Sequence, residues 1–219
     1  MKLALFDLDH TLIPFDSGMA WTRFLVGVQA LPPQAEAQYL DYCHQYVAGT
    51  LDIHAMHRAS VAPLRAFTPG QLTQWLRQFE HELSLRISVA TQELVRRHRD
   101  EGQICALVTA TTRFIAEPFA RLFGIEHVVA TEAQRVDDMP SGEIDGLPCF
   151  REHKVTRVQD WLDRKQLPQL AAFESSWFYS DSASDLPLLR AVSNPIAVRP
   201  DERLRAHALA AGWPILEPG

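Results

Sequence analysis

Two aspartates separated by a single residue follow a short apolar segment near the start of the sequence. The segment Leu3 to Phe6 contains no polar residue, Asp7 and Asp9 come directly after it, and Thr11 lies two positions further on. A continuous apolar run is typical of a strand that is covered on both faces, as in a parallel sheet. Side chains two apart on a strand point to the same side, so the two carboxylates can converge on one point.

Close carboxylates repel each other unless a cation or a shared proton compensates their charge. A hard divalent cation with oxygen ligands, most naturally magnesium, would do so. In open α/β sheets the carboxyl ends of the strands face the ligand crevice, so Asp7 and Asp9 are expected where such a sheet does its chemistry. Taken alone, the stretch could equally be a strand end with two solvated acids at a turn.

Further polar side chains stand at the ends of later predicted elements. The second predicted strand ends at Thr109, a predicted helix begins near Lys154, and the fourth predicted strand is followed by Asp181 and Asp185. Each residue alone has an ordinary explanation, because strand-end threonines and solvated lysines are common and aspartates often cap helices. Only their joint order along the chain indicates one shared site.

Residues 14–85 differ in character from the rest of the chain, because their apolar residues recur at helical spacing without a convincing strand. Gly49 interrupts the pattern, and Thr68-Pro69 is typical of the start of a helix. We therefore predict a small all-helical domain over residues 14–85, inserted into a core made of residues 1–13 and 86–219.

From Ser88 onward, apolar strands alternate with amphipathic helices. This alternation predicts an α/β core, a doubly wound (Rossmann-like) parallel sheet with helices on both faces. The segment 131–148 is rich in turn-forming residues and favours a hairpin or flap.

Composition limits the function classes. The chain has 219 residues, 47% of them apolar, a formal charge of −6 and no long basic run, which argues against nucleic-acid binding. Cys43, Cys105 and Cys149 are far apart and odd in number, as expected for reduced thiols. No apolar run approaches membrane-spanning length, so we expect a cytoplasmic monomer or homodimer that acts on a small molecule.

The order and spacing of the polar groups strongly resembles the haloacid dehalogenase superfamily of phosphatases. Its first motif, Asp-x-Asp-x-Thr, matches Asp7-Leu8-Asp9-His10-Thr11; its second ends in Ser or Thr, as at Thr109; its third is a lysine, Lys154; and its fourth is an acidic pair, Asp181 and Asp185. The helical insert stands where the family carries its type-1 cap. Its size and character place the chain near the phosphoserine phosphatase-like branch.

The resemblance implies a magnesium-dependent phosphatase that hydrolyses a small phosphomonoester through an aspartyl-phosphate. Asp7 would be the nucleophile, and Asp9 would protonate the leaving oxygen and then activate water. Thr109 and Lys154 would hold the transferred phosphoryl group. The implied magnesium ligands are Asp7, the Asp9 carbonyl oxygen, Asp181 and Asp185.

Substrate contacts are expected from the first motif, the insert and the segment after Thr109, namely Thr11, Asp16, Arg58, Ala110 and Thr111. In the branch, an acidic cap residue near the position of Asp16 receives the substrate amine, and an arginine receives its carboxylate. The arginine position falls on Ser60, with Arg58 nearby. A carboxylate clamp requires a correctly placed arginine. Among the amine-bearing phosphates that the resemblance suggests, which include phosphoserine and histidinol phosphate, phosphoserine is therefore disfavoured.

Several other functions are compatible with parts of this pattern. A phosphotransferase or mutase of the same superfamily would pass the phosphoryl group to another acceptor. Receiver-like phosphoacceptor domains combine similar residues, but they carry the phosphorylated aspartate on the third strand and have no helical insert. A phosphate-binding domain without catalysis is disfavoured by the presence of both Asp7 and Asp9. For an enzyme, we expect the insert to close over the site, with hinges at 14–16 and 84–88.

Overall fold

A six-stranded parallel sheet runs through the protein. The computed structural model describes residues 1–217, and the last two residues of the predicted core segment 86–219 lie outside this range. The strands in chain order are β1 (Lys2–Phe6), β2 (Ile104–Thr112), β3 (His127–Thr131), β4 (Ala133–Val136), β5 (Met139–Ile144), β6 (Ser175–Ser180), β7 (Asn194–Val198) and β8 (Ile215–Leu216). Six of them pair in the order β3-β2-β1-β6-β7-β8, all in parallel. The predicted doubly wound α/β fold is confirmed.

The helices occupy the segments where the apolar periodicity predicted them. They are α1 (Ser17–Gly27), α2 (Gln34–Ala48), α3 (Ile53–Val61), α4 (Pro69–Ser84), α5 (Val89–Asp100), α6 (Arg113–Phe123), α7 (His153–Arg164), α8 (Leu186–Leu189) and α9 (Glu202–Ala211). Gly49 ends α2 with a φ of 76°, and Thr68 caps α4 through a reciprocal capping box with Gln71. The two breaks predicted inside the insert are therefore confirmed.

The central strand β1 is covered on both faces, as its unbroken apolar sequence predicts. Leu3 and Leu5 point to one side, where they pack with residues of α7, α8 and α9. Ala4 and Phe6 point to the other side, where they pack with residues of α1, α4, α5 and α6. All four side chains are fully buried, so β1 is enclosed on both faces.

The insert consists of helices and the loops that join them, and its helices α1 and α4 contribute to the main hydrophobic core. Trp21 of α1 stacks on Phe24 and meets Phe79 of α4 edge-on, and Phe79 in turn contacts Phe119 of α6 with ring centroids 5.9 Å apart. Helices α1 and α4 thus pack against α6, which belongs to the core domain. Whether residues 14–85 behave as a separate domain remains a prediction.

The segment predicted as a hairpin or flap forms the antiparallel pair β4–β5 and packs against the insert. A Cβ atom on Gly142 would lie 2.7 Å from Cβ of Ala62, so this approach requires glycine. Glu143 of β5 binds the Arg58 guanidinium of α3 through two hydrogen bonds of 2.8 and 3.1 Å. The hairpin therefore connects the outer half of the insert to the core.

No helix within residues 1–217 is long and apolar enough to cross a membrane.

Candidate active site

The carboxyl ends of three neighbouring strands bring the predicted residues to one edge of the sheet. Asp7 follows β1, Thr109 lies in the last part of β2, and Asp181 follows β6. The backbone N–H of Asp7 donates to the carbonyl of Tyr179 at 2.9 Å, which continues the pairing between β1 and β6 into the site. Parallel pairing therefore explains why residues far apart in sequence meet.

Lys154 lies at the centre of a buried ion network. Its Nζ donates to Asp7 Oδ1 at 2.8 Å and to Asp185 Oδ2 at 2.7 Å, and the three residues are at most 7% exposed. Ser180 Oγ donates a further bond of 2.7 Å to Asp185 Oδ2. Although burial alone would lower it, the charges of Asp185 and Asp7 raise the pKa of Lys154, so the ammonium stays charged.

The second oxygen of Asp7 faces another carboxylate. The Thr11 hydroxyl lies 3.3 Å from both Asp7 Oδ2 and Asp181 Oδ1. Burial raises the pKa of Asp7 to about 6, with Lys154 opposing this rise and Asp185 adding to it. Burial and the neighbouring charges of Asp7 and Asp185 raise the pKa of Asp181 as well. This edge of the site thus has an excess of negative charge.

Both oxygens of the Asp9 carboxyl group are hydrogen-bonded. The backbone N–H of Ser17, the first residue of α1, donates to Oδ1 at 2.6 Å, and Thr111 Oγ1 donates to Oδ2 at 2.9 Å. Burial, reinforced by the charges of Asp16 and Asp7, raises the pKa of Asp9 to about 8. A raised pKa favours the protonated carboxyl group that a general acid needs.

The donor set fits a single magnesium ion rather than a metal cage. Among residues 1–217, no three His, Cys, Asp or Glu side chains form a ready-made metal cluster. However, two carboxylates with raised pKa values flank one hydroxyl, and Asp185 Oδ1 is buried without a hydrogen-bond partner. A hard cation bound by two carboxylates, a backbone carbonyl and water would compensate this charge.

The residues predicted to contact substrate lie in different environments. Asp16 accepts a bond of 2.7 Å from the Met19 N–H and so caps α1, and Arg58 pairs with Glu143 of the hairpin. Ala110 packs against a small apolar cluster around Phe150. Thr11 and Thr111 contact the site carboxylates directly, whereas the structure gives Arg58 no contact with them.

Four residues that sequence reasoning did not single out also support the site. Ser17 holds Asp9, Ser180 holds Asp185, and the Tyr46 hydroxyl of α2 contacts the hydroxyls of Ser182 and Ser184 at 2.9 and 2.8 Å. Arg199 donates to the backbone carbonyls of His10 and Thr11 and so fixes the first-motif loop. Ser180 adjoins Asp181 in sequence and could have been found, but the other three carry no local signal.

Comparisons with known proteins show the family to which the chain belongs. The chain matches the haloacid dehalogenase-like hydrolase family over residues 4–190. A histidinol-phosphatase of Neisseria meningitidis serogroup C (strain 8013) is 37% identical over 218 residues, which cover 98% of each chain. A solved structure of a protein with unknown function from Bordetella pertussis Tohama I superposes with a TM-score of 0.91 at 41% identity, over 99% of this chain and 98% of that one.

A substrate-bound phosphoserine phosphatase superposes with a TM-score of 0.69 at 16% identity, over 99% of this chain and 92% of that chain, which is a likeness of fold alone. The family match includes all four segments that carry the site residues Asp7, Thr109, Lys154 and Asp185. The chain belongs to the haloacid dehalogenase-like hydrolase family, and it is a phosphomonoesterase.

Proposed function

We propose that the protein is a magnesium-dependent phosphatase that hydrolyses a small amine-bearing phosphomonoester through an aspartyl-phosphate, with histidinol phosphate as the first candidate substrate. One observation carries the proposal. Asp7 is a buried carboxylate fixed by Lys154 at 2.8 Å, in the same short segment as Asp9, whose pKa is raised to about 8. Such a pair supplies a nucleophile and a proton donor to one phosphoryl group.

In the first step, a carboxylate oxygen of Asp7 attacks phosphorus. The bond from Asp7 to phosphorus forms as the ester bond breaks, and Asp9 gives its proton to the leaving alkoxide. The alcohol departs, Asp7 carries the phosphoryl group, and Asp9 is left as a carboxylate.

In the second step, the ionised Asp9 takes a proton from a water molecule whose oxygen attacks phosphorus. The bond to Asp7 breaks, inorganic phosphate leaves, and Asp9 is protonated again. Lys154 and the Thr109 hydroxyl would stabilise the charge on the phosphoryl oxygens during both steps. Thr109 is 1% exposed, and its Oγ1 accepts a bond of 3.1 Å from the Thr111 N–H, which leaves the hydroxyl proton for the phosphoryl group.

Magnesium would be held by Asp7, the backbone carbonyl of Asp9 and Asp181, with Asp185 bound directly or through water. When bound, it would neutralise part of the phosphate charge.

The surroundings of Asp16 and Arg58 support an amine-bearing substrate without a carboxylate. The Asp16 carboxylate, whose charge contributes to the raised pKa of Asp9, gives the insert side of the site a negative charge, which suits an ammonium group. Arg58 is engaged by Glu143, and Ser60 cannot bind a carboxylate as an arginine would. Histidinol phosphate has an amine and no carboxylate, whereas phosphoserine has both, and the 37% identical relative is named histidinol-phosphatase.

The test is phosphate release from histidinol phosphate, phosphoserine and other phosphomonoesters, with magnesium or with a chelator. We expect magnesium-dependent release, with histidinol phosphate preferred over phosphoserine. Asp7→Asn keeps the shape of the side chain and should lower turnover at least 1,000-fold, because an amide is a poor nucleophile. Turnover that persists in Asp7→Asn would contradict the covalent route, and transfer to an added alcohol in place of phosphate release would indicate a phosphotransferase.

A further inference from the structure

Thr111 lies where phosphate contacts were expected, but its hydroxyl faces the proton donor. Thr109 and Thr111 both lie near the end of β2, where the pairing with β3 is irregular. Thr109 remains available for a phosphoryl group, whereas Thr111 Oγ1 lies 2.9 Å from Asp9 Oδ2. The two threonines therefore have different partners within the same site.

The hydrogen bonds around Thr111 assign its only hydroxyl proton. Thr111 Oγ1 also lies 2.8 Å from Ser17 Oγ, and Ser17 is fully buried. A hydroxyl has one proton, so when Asp9 is ionised and accepts from Thr111, Thr111 must accept from Ser17. Its backbone N–H is used as well, in the bond of 3.1 Å to Thr109 Oγ1. In this state, neither the backbone N–H nor the hydroxyl of Thr111 has a proton left for a phosphate oxygen.

Asp9 is held from two sides by two different parts of the molecule. The Ser17 N–H at 2.6 Å comes from the first residue of α1, within the insert, and the Thr111 hydroxyl comes from the end of a core strand. Two bonds to the two oxygens fix the plane of the carboxyl group, which a single bond would leave free to rotate. Proton transfer requires this orientation, because a small misplacement of a reacting group is costly in rate.

We propose that Thr111 is the positioning residue of the general acid Asp9, and that it sets how well the enzyme handles esters with poor leaving groups. This inference depends on the proposed function, in which Asp9 protonates the leaving oxygen. If Thr111 acts through Asp9, its loss should matter most where the leaving group needs that proton. Substrate binding and the attack by Asp7 should be affected little.

The test compares phenyl phosphate with 4-nitrophenyl phosphate, which are similar in shape but differ in their need for protonation. 4-Nitrophenolate leaves as a stable anion, whereas phenolate is a poorer leaving group. We expect Thr111→Val to lower kcat/KM for phenyl phosphate by about tenfold or more and that for 4-nitrophenyl phosphate by no more than about threefold. Thr111→Ser restores the hydroxyl and should return both values to near those of the unmodified enzyme.

Thr112→Val is the matched control. It makes the same substitution one residue later in β2, where the hydroxyl contacts His57 Nδ1 at 3.1 Å and not Asp9. We expect it to leave the ratio of the two kcat/KM values unchanged.

An equal loss on both esters in Thr111→Val, or no loss on either, would overturn the inference while the proposed function stands. The absence of magnesium-dependent turnover in the unmodified enzyme would overturn both.

Discussion

Replacing Lys154 by methionine would remove the cation from the centre of the buried ion network. Its side chain is 4% exposed, and its Nζ lies 2.8 Å from Asp7 and 2.7 Å from Asp185. Removing one partner of a buried ion pair typically costs about 3–5 kcal/mol, because the remaining charge stays buried without compensation. Methionine has a similar aliphatic volume, so little of the loss would come from a cavity. We expect Lys154→Met to lower the free energy of unfolding by about 4 kcal/mol at pH 8.

The same variant should lose less stability at low pH. The folded pKa of Asp7 is about 6, above the ordinary value of 3.8, and Lys154 is the charge that holds it down. A carboxyl whose folded pKa is raised costs nothing while it is protonated in both states, and it destabilises the fold as the pH rises through that window. At pH 5, Asp7 is largely protonated even beside Lys154. The loss in Lys154→Met should therefore fall to roughly half its value at pH 8.

Urea denaturation at pH 5 and pH 8, with a chelator present, measures both values. Lys165→Met, at the exposed end of α7, is the matched control and should change the stability by less than about 0.5 kcal/mol. A loss below about 1 kcal/mol at pH 8, or an equal loss at both pH values, would refute the reasoning. With magnesium, turnover should fall at least 100-fold, because the phosphoryl group loses its ammonium partner.

Two further predictions concern the insert. Burial lowers the pKa of His57 from 6.5 to about 4, so as the pH falls the unfolded chain takes up the proton before the folded protein does. The free energy of unfolding should therefore decrease by about 3 kcal/mol at most as the pH falls from 6.5 to 4. In His57→Gln, urea denaturation should show a smaller decrease over this range and the same pH dependence as the unmodified protein above pH 7. A pH dependence that is unchanged in His57→Gln would contradict the assignment. Gly18→Ala places a Cβ 1.9 Å from the Tyr39 hydroxyl oxygen and should lower the melting temperature, at a cost of about 1–3 kcal/mol. Gly27→Ala in the same helix meets nothing within 4 Å and should be neutral or slightly stabilising.

Most of the fold follows from local patterns that sequence reasoning can read. The unbroken run at β1 predicted a strand covered on both faces, and the breaks at Gly49 and Thr68 separate helices where they were expected. The two-residue strand β8 was not predicted, because a segment this short carries no periodicity. Local chemistry was therefore sufficient for every element of more than a few residues.

The sequence singled out residues that the structure brings together, but it did not give their contacts. Asp7, Lys154 and Asp185 were expected to act together, and the structure joins them through Nζ of Lys154. Thr111 and Arg58 were predicted to contact substrate, which stays a prediction; in the structure Thr111 contacts Asp9, and Arg58 pairs with the hairpin residue Glu143. Spacing along a strand gives the side to which a side chain points, but it does not give the partner that meets it there.

The sequence by itself determined the α/β fold, the helical insert and the set of candidate site residues, because strand periodicity, helix caps and motif order are local properties of the chain. Only the tertiary structure decided that the first residue of α1 and the end of β2 would meet around Asp9, with Ser17 and Thr111 on its two oxygens. It also decided that Tyr46 would reach the loop of Ser182 and Ser184. The contacts of Thr111 with Asp9 and of Tyr46 with Ser182 join residues 102 and 136 positions apart. Their geometry depends on how the insert packs on the sheet, which no local pattern encodes.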